Sequence, residues 1–162
     1  MSSGCVKPHT SPEVEQPQPQ WREGSFRRIL VAFDGSENSW KALRMGISLA
    51  WQHDSELWAL SVEEGLPRFP AIAGEVQGEK EREDHYYGEL HNQAKELADR
   101  RGVQLNCAIV PGRTVDTITH YARQGNFDLI VIGGARPGLW HAFLGTSSRV
   151  SRQASRSVMV VR

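Results

Sequence analysis

The sequence predicts an α/β domain, a parallel sheet with helices packed on both of its faces. Three observations predict it. Short continuous apolar runs recur along the chain at 28–33, 57–62, 105–110, 129–132 and 158–161, as expected for strands buried on both faces. Each run is separated from the next by a segment with helical spacing or helix-start chemistry, so strands alternate with helices, and right-handed crossovers then make the sheet parallel. The length, 162 residues, suits one compact domain that needs no metal or disulfide staple.

Residues 1–25 hold four of the eight prolines, with Gln, Ser and Glu. Such a segment buries too little apolar surface to offset its ordering entropy, so it reads as a disordered tail ahead of a domain at 26–162. The first strand is Arg28–Phe33, ending at Asp34-Gly-Ser. Asn38 to about His53 follows with Trp40, Leu43, Ile47 and Ala50 on one stripe, capped by Ser36 or Asn38. Leu57–Val62 is the second strand and 63–77, with Pro67, Pro70 and Gly74, a long connection. Glu79–Arg101 is a charged helix stopped by Gly102, with Tyr86 or Tyr87, Leu90, Ala94 and Leu97 along one face. Leu105–Val110 is a strand, Thr114–Arg123 a helix and Leu129–Ile132 a strand. A glycine-rich turn leads to a helix over Thr146–Ala154, and Val158–Val161 closes the chain. There is no internal repeat.

Nineteen Lys and Arg balance nineteen Asp and Glu. A neutral chain argues against a nucleic-acid binder or a membrane-surface protein. The sum conceals a gradient: 63–99 carries ten acids and four bases, whereas 129–162 carries five arginines and no acid. That basic stretch marks a local anion site, with Arg136 nearest and Arg149, Arg152, Arg156 and Arg162 on solvent or at an edge. Two cysteines make no disulfide framework or zinc cluster. No apolar run reaches membrane-spanning length and no secretory, myristoylation or lipoprotein pattern opens the chain, so a cytoplasmic protein is expected.

In open α/β sheets, ligands sit beyond the carboxyl ends of the strands. Three loops lie there: Asp34-Gly-Ser36, Glu63-Glu64 and Gly133–Gly145. Gly133-Gly-Ala-Arg136-Pro-Gly138 lets backbone approach a ligand, and Gly145-Thr-Ser-Ser148 opens a helix whose free N–H groups suit phosphate. The spacing is neither a P-loop nor a dinucleotide fingerprint. The plainer reading is a turn followed by an ordinary helix cap. Asp34 suits a divalent cation held through phosphate oxygens, or simple turn chemistry. It has no adjacent acid and no late lysine, against a receiver-type phosphoacceptor. His85 and His91, six apart, read as solvated helix histidines, His141 as a surface residue and Cys107 as a small core residue. Ser36, Ser147 and His141 make no convincing nucleophile–base pair.

Val-Ala-Phe-Asp-Gly-Ser at the first strand, Val110-x-Gly112 before the Thr114 helix, Asp128-Leu-Ile-Val-Ile-Gly133, Gly138-Leu-Trp-His-Ala-Phe-Leu-Gly145-Thr146 and the final Val-Met-Val-Val together resemble the universal stress protein family over about 26–162. The resemblance implies a Rossmann-like or flavodoxin-like sheet in the order 3-2-1-4-5 and dimers paired through the last strand, here Val158–Val161. One branch of the family binds ATP through a Gly-x2-Gly-x9-Gly-Ser/Thr loop; another lacks the loop. Carried over, Gly133, Gly134, Arg136, Gly138, Gly145, Thr146, Ser147 and Ser148 would surround the phosphates, and Ile132, ending the strand before them, would also contact the nucleotide. Asp34 would lie near ribose and metal, and Ala32, Phe33 and Leu57 would flank adenine. Arg136 stands where the second glycine belongs, and the stretch to Gly145 is one residue short. The resemblance therefore implies a homodimeric stress-response regulator binding ATP or AMP, with or without Mg, with at most slow hydrolysis. Its rival is a dimeric interaction protein whose site has decayed.

Overall fold

A computed structural model describes residues 26–64, 73–134 and 145–162. The strands are β1 Arg28–Ala32, β2 Glu56–Glu63, β3 Leu105–Pro111, β4 Leu129–Gly133 and β5 Ser157–Val161. The helices are α1 Glu37–His53, α2 Ala73–Asp99, α3 Thr114–Gln124 and α4 Thr146–Gln153. The expected tail, 1–25, lies outside the described residues.

All pairings are parallel, and the sheet runs β3-β2-β1-β4-β5. β1 is central, so its alternate side chains enter two different cores. Ile29, Val31 and Phe33 join Leu43, Ile47, Leu57, Leu90 and Ala94 beneath α1 and α2. Leu30 and Ala32 join Leu60, Ile118, Phe127, Ile130 and Val150 beneath α3 and α4. Ile29, Leu30 and Val31 have no exposed surface, which is why this stretch reads as one unbroken apolar run. Each such side chain contributes about 1.5–3 kcal/mol by leaving water.

Two local devices set the first crossover. Gly35 adopts φ +80°, a backbone conformation that favours glycine, and turns the chain from β1 toward α1. Ser36 caps α1, its hydroxyl accepting from the Ser39 amide at 3.3 Å. Asp54, at φ 54°, closes the other end of α1.

The main departure from expectation is α2, which starts at Ala73, inside the segment expected to be a connection. Gly74 and Gly78 fall in its first two turns. A glycine costs a helix only about 1 kcal/mol relative to alanine, less than a long helix gains elsewhere. Among the described residues, no helix is long and apolar enough to cross a membrane.

Candidate nucleotide-sized cavity at the strand ends

β1 crosses over to β2 on one side, and β4 lies on its other side, so strand order reverses at the carboxyl end of β1. A cavity of about 340 Å³ opens there. Its floor is Ala32, Phe33 and Asp34 from the end of β1, with Ile132, Gly133 and Gly134 from β4. Leu60 and Val62 come from β2, Glu64 from just past its end, and Thr114 and Ile118 from α3. Ser36, Asn38 and Ser39 from the start of α1 and Thr146 and Ser147 from α4 complete the wall. One side is therefore aliphatic and the other made of helix starts and hydroxyls.

Three helix N-termini meet at this edge, and they differ. The α1 terminus is capped by Ser36. At α3 the Arg113 side chain makes no cap; instead the Glu64 carboxylate arrives from β2 and accepts from the Thr114 amide at 3.1 Å and from its hydroxyl. Those bonds, with the lesser pull of Arg149 and Arg113, hold Glu64 below its ordinary value. The α4 terminus has Gly145 at the cap, no side-chain capping bond and no acid in its first turn. The positive end of its dipole faces the cavity and favours an anion there. Ser147, on that first turn, is 8% exposed and lines the cavity.

Asp34 is exposed, and its carboxylate accepts from the Ser36 amide at 2.9 Å. Partial burial alone would raise its pKa, but the bonds from Ser36 and Ser39 outweigh burial and hold the carboxyl below its ordinary value. An ionised acceptor thus faces a cavity whose far end favours anions. A ribose hydroxyl or a metal ion bound through phosphate satisfies both.

The two glycines have packing reasons of their own. A Cβ at Gly133 would stand 2.6 Å from the Asn38 carbonyl carbon and 2.7 Å from its oxygen, so glycine lets α1 seat against the end of β4. A Cβ at Gly134 would meet the Arg162 stem at 2.9 Å and Val160 at 3.0 Å. The Gly134 amide donates to Val161 O at 2.7 Å, and its carbonyl accepts from Asn38 Nδ2 at 2.6 Å. This is the turn reading of the motif made concrete, and it also brings α1, β4 and β5 to one rim.

Of the residues expected to bind, Ala32, Phe33, Asp34, Ile132, Gly133, Gly134, Thr146 and Ser147 line the cavity. Gly145 adjoins them as the α4 cap, and Ser148 is half-buried one position further on. Arg136, Gly138 and His141 lie outside the described residues. Leu57 is corrected: it is fully buried in the core, paired with Ile29 toward the amino end of the sheet. Leu60, in register with Ala32, and Val62 line the cavity from β2 instead. The stagger of neighbouring strands, invisible in sequence, makes that difference. In sequence Glu64 reads only as part of a carboxyl-end loop and Thr114 only as the start of a helix; their meeting is tertiary.

His91 is a second correction. It is 5% exposed rather than solvated, and its Nε2 lies 2.8 Å from the fully buried Ser61 hydroxyl. Burial first, and then the Lys95 ammonium, hold its pKa below 6.5. Closed to solvent, this Ser–His pair cannot serve as nucleophile and base for a substrate. Cys107 is half-buried, packed against the core, and its thiol is pushed up by that burial. Among the described residues no three His, Cys, Asp or Glu side chains gather to hold a metal.

A sequence profile of the universal stress protein family matches residues 25–162. Universal stress protein YxiE of Bacillus subtilis is 31% identical over 151 residues, spanning 85% of this chain and 99% of that protein. Among solved structures, universal stress protein UspA from Lactobacillus plantarum superimposes with a TM-score of 0.76 at 26% identity, covering 85% of this chain and 99% of its own. A universal stress protein in complex with cAMP gives a TM-score of 0.66 at 20% identity, covering 85% and 98%.

Proposed function

This chain belongs to the universal stress protein family, and from that premise we propose that its strand-end cavity binds an adenine nucleotide. The observation that carries the reading is the α4 N-terminus, with glycine at its cap, no acid in its first turn and buried Ser147 on that turn, facing an aliphatic wall across one cavity. A nucleotide has that polarity: a flat base at one end and phosphate at the other. Ala32, Leu60, Val62 and Ile132 suit the base, Thr146 and Ser147 the phosphate, and Asp34 the ribose hydroxyls or a Mg ion held by phosphate oxygens. Arg136 and Gly138, from the loop between them, would complete the phosphate side. The complex of a related fold with cAMP supports an adenine ligand. ATP and AMP are the two candidates, and hydrolysis is slow at most: among the described residues the cavity's carboxylates, Asp34 and Glu64, are engaged by Ser36 and Thr114 and held below their ordinary values, which makes them weak bases.

The protein on this reading is a cytoplasmic homodimer, paired through β5, whose Val158–Val161 are half-buried at the open edge of the sheet. Ligand occupancy would regulate a partner during stress. One sequence feature favours the alternative of a ligand-free interaction protein: Arg136 replaces the loop's second glycine and the loop is one residue short.

Mass spectrometry of the supernatant from denatured, purified protein decides between them. We expect AMP or ATP at near-stoichiometric yield, and calorimetric binding of one of them, with Mg, to protein stripped of ligand. Ligand-free protein that gives no heat with either nucleotide at millimolar concentration would reject the nucleotide reading.

A further inference from the structure

We propose that His91 is a positioning residue for this cavity, acting through the Ser61 hydroxyl to hold the end of β1 in its ligand-receiving shape. The proposal rests on the nucleotide reading for its ligand but on separate geometry for its coupling. Ser61 has a single hydroxyl proton, which it gives to the Phe33 carbonyl at 2.6 Å. The 2.8 Å contact with His91 Nε2 must then run from ring to hydroxyl. The imidazole is therefore held with a proton on Nε2.

Phe33 is gripped at three points. Its amide donates to Leu60 O at 2.9 Å, its carbonyl takes the Ser61 proton, and its ring lies against His91 at 6.3 Å and 23° and edge-on to Trp40 at 4.9 Å. The β1–β4 register ends at Val31, one residue before Ala32 and two before Phe33. Beyond that point the grip comes from the β2 and α2 side. Ala32, Phe33 and Asp34, the stretch so held, are the cavity floor.

The grip suits a neutral ring. The titratable and charged groups on the surrounding elements are Lys95 and Tyr87 on α2, Asp34 at the end of β1, Glu63 on β2, Cys107 on β3, and the Glu37–Lys41 pair on α1. Of these, Lys95 acts on the ring, and it repels a second positive charge. A ring 5% exposed cannot keep an imidazolium beside Lys95 without moving toward water. Moving, it leaves Ser61 and Phe33, and the floor loses one wall of its support. Nucleotide affinity then falls on acidification through a group that never touches the nucleotide.

Two measurements on the full chain test this. In the first, AMP is titrated calorimetrically into wild type, His91→Gln and Ser61→Ala at pH 7.5 and pH 5.0, with thermal melts of each. Gln keeps an N–H donor and does not titrate. Wild type should lose about tenfold more affinity over that range than His91→Gln, beyond the change both share from the phosphate of AMP. Ser61→Ala should lose the pH dependence of affinity while its melting temperature keeps the wild-type pH dependence, because His91 is still buried. Parallel affinity profiles in wild type and either variant would overturn the proposal. In the second, the Phe33 and Asp34 amide resonances of ligand-free protein are followed against pH. They should titrate with the His91 midpoint in wild type and not in Ser61→Ala. If AMP fails to bind but these amides titrate together, the nucleotide reading falls and the coupling stands. If they do not titrate, the coupling falls whatever AMP does.

Discussion

Gly133 does two things with one missing methyl group. It lines the cavity, and it lets the Asn38 backbone approach to a distance that no Cβ tolerates. Gly133→Ala should therefore destabilise the fold by about 1–3 kcal/mol, the usual range for overpacking a tight contact, as read from denaturant unfolding midpoints. If α1 instead gives way cheaply, the midpoint will not move and the close-packing account fails. The same residue shows why a glycine motif is ambiguous in sequence. A glycine required by a helix and one required by a ligand are the same letter. His91 carries the converse lesson: on a helix rich in charge it looks solvated, and only the sheet beneath α2 reveals the Ser61 hydroxyl that receives it.

Among the elements, the helix starts distinguish themselves by what caps them. α3 borrows Glu64 from the end of β2, across 50 residues of sequence. Glu64→Ala removes the one oxygen that accepts both Thr114 bonds and should cost about 1 kcal/mol, the usual value of an N-cap. Glu64→Gln keeps an acceptor and should cost less, and the order of the two melting temperatures checks the assignment. α4 has glycine at its cap and no acid in its first turn, and a carboxylate placed there tests whether an anion is accepted. Ser147→Asp supplies an internal anion to the α4 start. It should preserve or raise the melting temperature while abolishing nucleotide binding; undiminished binding in calorimetry would remove α4 from the phosphate side.

At the scale of the whole molecule, acid should act in two windows. His91 has its pKa held below the ordinary 6.5 by burial and by Lys95. The unfolded chain then takes up a proton that the folded chain refuses, so this contribution is intact above about 6.5 and is lost as pH falls toward the lower folded value. The carboxyls of Asp34, Glu56 and Glu64 are held below their ordinary 3.8–4.5. Their contribution is present above that range and is lost as pH falls through their folded values. Both windows run the same way, so the melting temperature should fall in two stages on acidification, and His91→Gln should remove the first alone. A melting temperature flat from pH 7.5 to 5.0 in wild type would contradict the burial of a neutral ring. The two carboxyls nearest the cavity are exposed and solvent-screened, so the second stage should be shallow.

The sequence by itself determined the fold class and the strands, because strands covered on both faces need short, mostly apolar runs and each of β1 to β5 carries one. It also located the α4 start, since a glycine and hydroxyls ahead of a short helix are local chemistry, and it marked the basic end of a chain whose charges otherwise cancel. What it left open were relations between residues far apart along the chain. Leu57 and Leu60 are three residues apart on one strand and both are buried, yet the register with β1 sets Leu57 opposite Ile29, away from the cavity, and Leu60 opposite Ala32, on its wall. The cap of α3, the seat of α1 against Gly133 and the bond between His91 and Ser61 each join partners from different elements. Packing decides these because a side chain's role follows from what the tertiary fold brings within hydrogen-bonding or van der Waals reach of it, and sequence spacing carries that distance only within a single helix or strand.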